Sequence, residues 1–292
     1  RFEVSGALAV LTLNRPGAMN SLNSLMCKEI EDACARCASS GARALVVSGE
    51  GRAFCAGGDI KEIGGRLESG EKMEAFLGPD YQAAVAALYE TPVPTIAAVK
   101  GHAVGGGFDL ALACDIRLAG ESARFSQIYS QVGLVPDCGG TYLLSRVLGP
   151  AKALELILTG EMLDARQAHE LGLVRSVFPD EDLMEEALSL GRRLASGATL
   201  ALSAVKSLMK NPGEFRAALA AEAAAQERAE EAEAAYAARL EAEEITRAHA
   251  DAATHAHSDR ENAEHDARTA HESATAAHAA REAAEAAAQA SA

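Results

Sequence analysis

The stretch "GHAVGGGFDLALACD" (101–115) follows the β-branched run "PTIAAVK" (94–100) and passes into an alanine- and leucine-rich pattern. Strand, glycine-rich turn and helix start therefore succeed one another without a spacer. Such a junction aims backbone N–H groups at one point, because the first turn of a helix leaves its amides without internal acceptors. A second junction of the same kind lies earlier, where "ALVVSG" (44–49) runs into "GRAFCAGGDIKE" (51–62). Either loop alone fits a tight turn with close backbone packing. Two together offer paired donors for an anion or oxyanion. A dinucleotide fingerprint is excluded: Gly105 and Gly107 open a helix, but Leu110 stands where a third glycine is needed, and no phosphate-binding lysine signature occurs.

Composition narrows the classes. With 292 residues and 49% hydrophobic content, the chain can bury a sizeable core as one large domain or two. No run of about 18 apolar residues is present, which excludes a membrane-spanning helix. The first residue is Arg, so the true N-terminus can lie elsewhere. Six cysteines at 27, 34, 37, 55, 114 and 138 have no disulfide-framework spacing and favour a reducing, cytoplasmic compartment. Cys34 and Cys37 form a C-x-x-C without a second pair, and helical packing rather than a metal site is expected of them.

The net charge of −15 argues against a nucleic-acid partner, which would require clustered Lys and Arg. Residues 221–292 hold 16 Asp and Glu against 6 Arg and no Lys, a net of −10 (6 minus 16). The acidity belongs mainly to the end of the chain.

Up to residue 212 the chain alternates "LAVLTL" (8–13), a helix from about Leu22, "ALVVSG", "PTIAAVKG" (94–101) and "CDIRLAG" (114–120) with helical segments, an α/β pattern. Helices then dominate, with a strand in "LVRSVFP" (173–179) and helix-ending glycines at 160 and 172. Residues 246–292 contain no Leu, Val, Met, aromatic, Gly, Pro or Lys, so a protruding, fraying or disordered alanine-rich tail is expected. Six of the eight His lie there at irregular gaps, which argues against a built metal site.

"F-C-A-G-G-D-I" followed by "G-H-A-V-G-G-G-x-x-L-A-L-A-C-D" resembles the crotonase superfamily, the enoyl-CoA hydratases and isomerases. The resemblance runs from "LTLNRPGAMNSL" (11–22) through "GLVPDCGGTYLLSRVLG" (133–149) and "ALELILTGEMLDARQAHELGLVRSVFP" (153–179), roughly residues 2–220. It implies an α/β crotonase fold: a repeated ββα spiral core over 1–195, a C-terminal helical trimerisation and lid region over 196–245, then the acidic tail. A homotrimer or hexamer, an acyl-CoA thioester substrate and no cofactor beyond the substrate's CoA moiety are likewise implied.

Residue by residue, the resemblance makes the N–H groups of Gly58 and Gly106 the oxyanion donors. It places Ala56, Gly58, Asp59, Ile60 and Lys61 along the CoA and Ala18 near its adenine-ribose end. Asp59 also fits a helix cap, and Lys61 fits either a phosphate contact or a solvated position. Hydratases of the family carry glutamates at the positions of Asp109 and Tyr129; only a shorter carboxylate remains here, so efficient hydration is not expected. Asp137 matches the aspartate of family isomerases, and "GLVPDxGGTxxL" is similar to the 1,2-epoxyphenylacetyl-CoA isomerases. The resemblance thus implies an isomerase with Asp137 as base and Tyr129 lining the acyl pocket. The alternatives are hydration through Asp109, covalent chemistry at Asp137, and a CoA-binding assembly protein of low activity. Asp also occurs commonly in turns after Pro. The usual closing motif of the family's last helix is absent from this chain.

Overall fold

The computed structural model describes residues 1–232, 234, 235, 237–242, 244, 269, 273 and 275. Arg1–Glu230 form one compact unit, and Glu231–Ala292 form a second, whose described residues are helical. The tail expected over 246–292 lies almost wholly outside the described residues.

The described residues form ten strands: β1 (Phe2–Ser5), β2 (Leu8–Leu13), β3 (Ala44–Gly49), β4 (Ala53–Cys55), β5 (Thr95–Val99), β6 (His102–Val104), β7 (Ile116–Gly120), β8 (Arg124–Ser126), β9 (Leu163–Asp164) and β10 (Ser176–Phe178). They build a six-stranded sheet, β1-β2-β3-β5-β7-β10, and a four-stranded sheet, β4-β6-β8-β9. All neighbours are parallel except β1 with β2 and β8 with β9. Each pass of the chain lays one strand in the large sheet, one in the small sheet and then a helical segment. The passes are β3, β4 and helix Ile60–Glu68; β5, β6 and helix Gly106–Ala113; β7, β8 and the 3₁₀ turn Ile128–Val132. This is the ββα spiral that the resemblance implies.

Parallel strands covered on both faces must be apolar on both, and the central strands obey this. Leu45, Val47, Ala97 and Val99 enter the main core, while Ala44, Val46, Ile96 and Ala98 face a second one. Helix Leu183–Ala195 seals that second core through Leu183, Ala187 and Leu190. On the other side, helix Ser24–Ser39 starts where the Asn23 side chain accepts from the Met26 N–H at 3.0 Å. Its buried stripe of Met26, Cys27, Ile30, Ala33, Cys34 and Cys37 follows the helical repeat, so the C-x-x-C cysteines are core residues, buried and free.

Two features carry the site. A six-residue π-helix, Leu77–Gln82, interrupts the helical stretch before β5 and brings Leu77, Tyr81 and Gln82 all inward. A helix over residues 212–230, opened by Asn211 accepting from the Glu214 N–H at 3.2 Å and by Pro212, turns back onto the spiral and buries Phe215, Leu219, Glu222 and Gln226. Among the described residues no helix is long and apolar enough to cross a membrane.

Candidate active site

The first expected donor is set by a short backbone register. Leu22 N–H donates to Gly57 O and Asp59 N–H to Leu22 O, both at 2.7 Å, making an isolated parallel bridge between Leu22 and Gly58. In such a bridge the bracketed residue turns its own N–H to the opposite side, so the Gly58 amide points away from Leu22. Asp59 then caps helix Ile60–Glu68, accepting from the Lys61 N–H at 3.2 Å and from Arg15 at 2.8 Å. Burial acts to raise this carboxyl, but Arg15 and the amides of Glu62 and Lys61 together hold Asp59 below the usual range.

The second donor heads a helix. Gly105, at φ +53°, turns the chain out of β6, and Gly106 begins helix Gly106–Ala113, where its amide has no intrahelical acceptor. Only glycine permits the packing behind it: a Cβ on Gly107 would stand 2.2 Å from Cys55 O. On Gly57, at φ +86°, a Cβ would come within 2.9 Å of Val104 O and 3.6 Å of Gly106 N. The two loops meet backbone to backbone because β4 and β6 are paired neighbours.

Where they meet lies a cavity of about 150 Å³. Met73, Phe76, Leu77, Tyr81, Val132 and Leu134 supply apolar wall. Of the residues singled out from sequence, Ala56, Gly58, Ile60, Gly106, Tyr129 and Asp137 border it; Ala18, Asp59, Lys61 and Asp109 do not. Ala18 ends the turn Pro16–Ala18. That turn is fixed to the first glycine loop by Met19 O, which accepts from Ala56 N–H at 3.0 Å, and by the buried Asn20 amide, which donates to the carbonyls of Glu50 and Ala53. Lys61 is exposed beside this loop.

The two carboxyls are placed differently. Asp109 is 0% exposed and accepts from the Tyr129 hydroxyl at 2.8 Å and from the Gln127 amide at 2.6 Å. Burial pushes it well above the carboxylate range. Its Oδ1 also abuts Gly140, where a Cβ would lie 2.7 Å away. Asp137 is enclosed by protein yet keeps accessible surface on the cavity, where it is the one carboxylate among the lining residues. Burial pushes it up to about 6 against the opposing pull of the Cys138 thiol and the Tyr129 hydroxyl. A base with this proton affinity is largely ionised at neutral pH and still takes up a proton readily.

The segment around Asp137 is held from outside by residues the sequence reading did not single out. Gln82 donates to Asp137 O at 2.9 Å and to Leu219 O at 3.0 Å. Val135 N–H donates to Gln226 Oε1 at 3.0 Å. Glu222 accepts from the N–H groups of Gly139 at 2.7 Å and Thr141 at 2.9 Å, and from the Thr141 hydroxyl. One signal was available: 215, 219, 222 and 226 fall on one helical face, so a Glu and a Gln continue the stripe begun by Phe215 and Leu219. The π-helix that delivers Gln82 left no comparable pattern. The described residues contain no cluster fit to hold a metal ion.

The family model for enoyl-CoA hydratase/isomerase matches residues 3–244. Among curated relatives, the 1,2-epoxyphenylacetyl-CoA isomerase of Escherichia coli is 40% identical over 210 residues, 70% of this chain and 79% of that enzyme. The 2,3-dehydroadipyl-CoA hydratase of the same organism is 37% identical over 206 residues, again 70% and 79%. Among solved structures, an enoyl-CoA hydratase/isomerase from Pseudoalteromonas atlantica superposes with a TM-score of 0.71 at 31% identity, covering 78% of this chain and 90% of that one.

Proposed function

This chain belongs to the enoyl-CoA hydratase/isomerase family, whose members act on acyl-CoA thioesters, and from that premise we propose that it shifts a double bond within an enoyl-CoA. The observation that carries the proposal is that Asp137 borders the same cavity as Gly58 and Gly106 while Asp109 does not. In this reading the thioester oxygen accepts from the amides of Gly58 and Gly106. Proton removal beside the carbonyl leaves charge on that oxygen, and each preorganised donor in a water-poor site stabilises it by about 3 kcal/mol. The carboxylate of Asp137 takes the proton from the carbon next to the thioester and returns it two carbons away. Nothing is lost from the substrate, so one carboxylate suffices.

Hydration makes a different demand: one water must be held and activated as it adds across the double bond. The Asp109 carboxyl already accepts from Tyr129 and Gln127, which counts against that chemistry. The test is parallel turnover of 3-enoyl-CoA and 2-enoyl-CoA by the wild type and Asp109→Asn. Conversion of the 3-enoyl to the 2-enoyl ester by both proteins, without hydration, supports the proposal. Hydration that disappears in Asp109→Asn would move the chemistry to that residue. The assembly as a trimer or hexamer and the lid role of residues 196–245 are part of the same proposal; sedimentation of the full chain tests the first.

A further inference from the structure

Residues 135–141, "VPDCGGT", receive side chains from two distant elements. Alternate residues are fixed: Val135 by Gln226, Asp137 by Gln82, and Gly139 and Thr141 by Glu222. The three anchoring side chains are all buried. A buried polar group is costly unless bonded, and here the bonds converge on seven residues that contain the candidate base.

We propose that Glu222 is a positioning residue for Asp137, so that residues 215–226 of the C-terminal helix belong to the active site. The inference rests on Asp137 being the base. Helix Gly140–Leu148 begins two residues after Cys138, and its first turn presents free amides and the positive end of its dipole. Glu222 fills that end with a carboxyl group that accepts from the amides of Gly139 and Thr141. Its two backbone bonds bracket Gly140 and follow Asp137 closely, so they fix the direction in which the chain leaves the base.

The glycines make this anchoring necessary. Gly139 stands at φ +90°, and a Cβ there would lie 2.4 Å from the Phe215 ring; a Cβ on Gly140 would meet Asp109 and Gln127. Two adjacent glycines allow the C-terminal helix and the Asp109 network to approach closely, but they also form the most pliable part of the loop. Glu222 removes that freedom beside the reacting carboxylate. A displacement of about 1 Å in a catalytic group can cost roughly 100-fold in rate, so this contact bears on turnover without touching substrate.

The experiment compares wild type, Asp137→Asn, Glu222→Ala and Glu222→Gln in 3-enoyl-CoA isomerisation, with CoA affinity measured on each protein. Glu222→Ala is expected to lose about 10- to 100-fold in kcat, with KM and CoA affinity within about twofold of wild type. Glu222→Gln, which keeps an acceptor oxygen, should recover part of the loss. Should Glu222→Ala not fold, Gln226→Leu removes a single anchor and should show the same split on a smaller scale. Wild-type kcat in the folded variant, or kcat falling in step with CoA affinity, overturns the proposal. Failure of the underlying reading has a separate signature: Asp137→Asn would then turn over like the wild type.

Discussion

The two sides of the cavity are built by opposite means. The oxyanion side is backbone throughout: glycines at 57, 58, 105, 106 and 107, fixed by strand pairing and a helix start a few residues away. The Asp137 side is a loop held by side chains 55 to 91 positions distant in sequence. The Gly58 and Gly106 amides cannot move without breaking the sheets, whereas the placement of Asp137 depends on three removable anchors. In the proposed reaction, the spiral fixes where negative charge develops, and what helix 212–230 and the π-helix hold in place determines which carbon exchanges a proton.

Substitutions that break this contrast differ in size. The largest effect is expected from Gly107→Ala, whose Cβ has no room against the Cys55 carbonyl. A loss of about 4 kcal/mol or more, or failure to fold, should appear in denaturant unfolding. Gly139→Ala meets a side chain rather than backbone and adds an unfavourable φ. About 1–3 kcal/mol of stability should be lost, with kcat reduced more than CoA affinity.

The difference in construction also decides what was legible in the sequence. Strands β2 and β3 and the two glycine loops stand where pattern and turn chemistry placed them, and Asp59 caps its helix as expected. Strands of two or three residues such as β4, β8 and β9 are too short to show alternation. The sequence pattern marked none of them. Asp137 could be named because its neighbours "VPDCGGT" carry the resemblance, but Gln82 left no pattern, and the stripe holding Glu222 and Gln226 did not show what they bind. Their partners are backbone atoms far along the chain, which no local pattern encodes. The resemblance makes Asp109 a candidate for chemistry, and only the fold shows its carboxyl bonded to Tyr129 and Gln127.

Two smaller effects sharpen the comparison. Asp137 is raised to about 6 by burial, so its neutral form suits the fold. Stability from this group is complete below the unfolded value near 4 and is lost as pH rises through about 6. Asp137→Asn should therefore be more stable than wild type at pH 8, by about 1–2 kcal/mol because the carboxyl is only partly buried, and the gap should close below about pH 4. Thermal unfolding across pH checks this; a constant gap would mean that the ionised carboxylate carries no penalty. Smallest of all, Asp109→Asn keeps an acceptor for Tyr129 and is expected to change isomerisation by less than about tenfold, in contrast to the loss expected at Asp137.

The central claim is that one carboxylate on the cavity performs the proton transfer. The most direct measurement is 3-enoyl-CoA isomerisation by Asp137→Asn at pH 8, with CoA affinity determined on the same preparation. Loss of about 10²- to 10⁴-fold in kcat with unchanged CoA affinity is the predicted result. Turnover within a few fold of wild type would contradict it and leave Asp137 as a turn residue after Pro136.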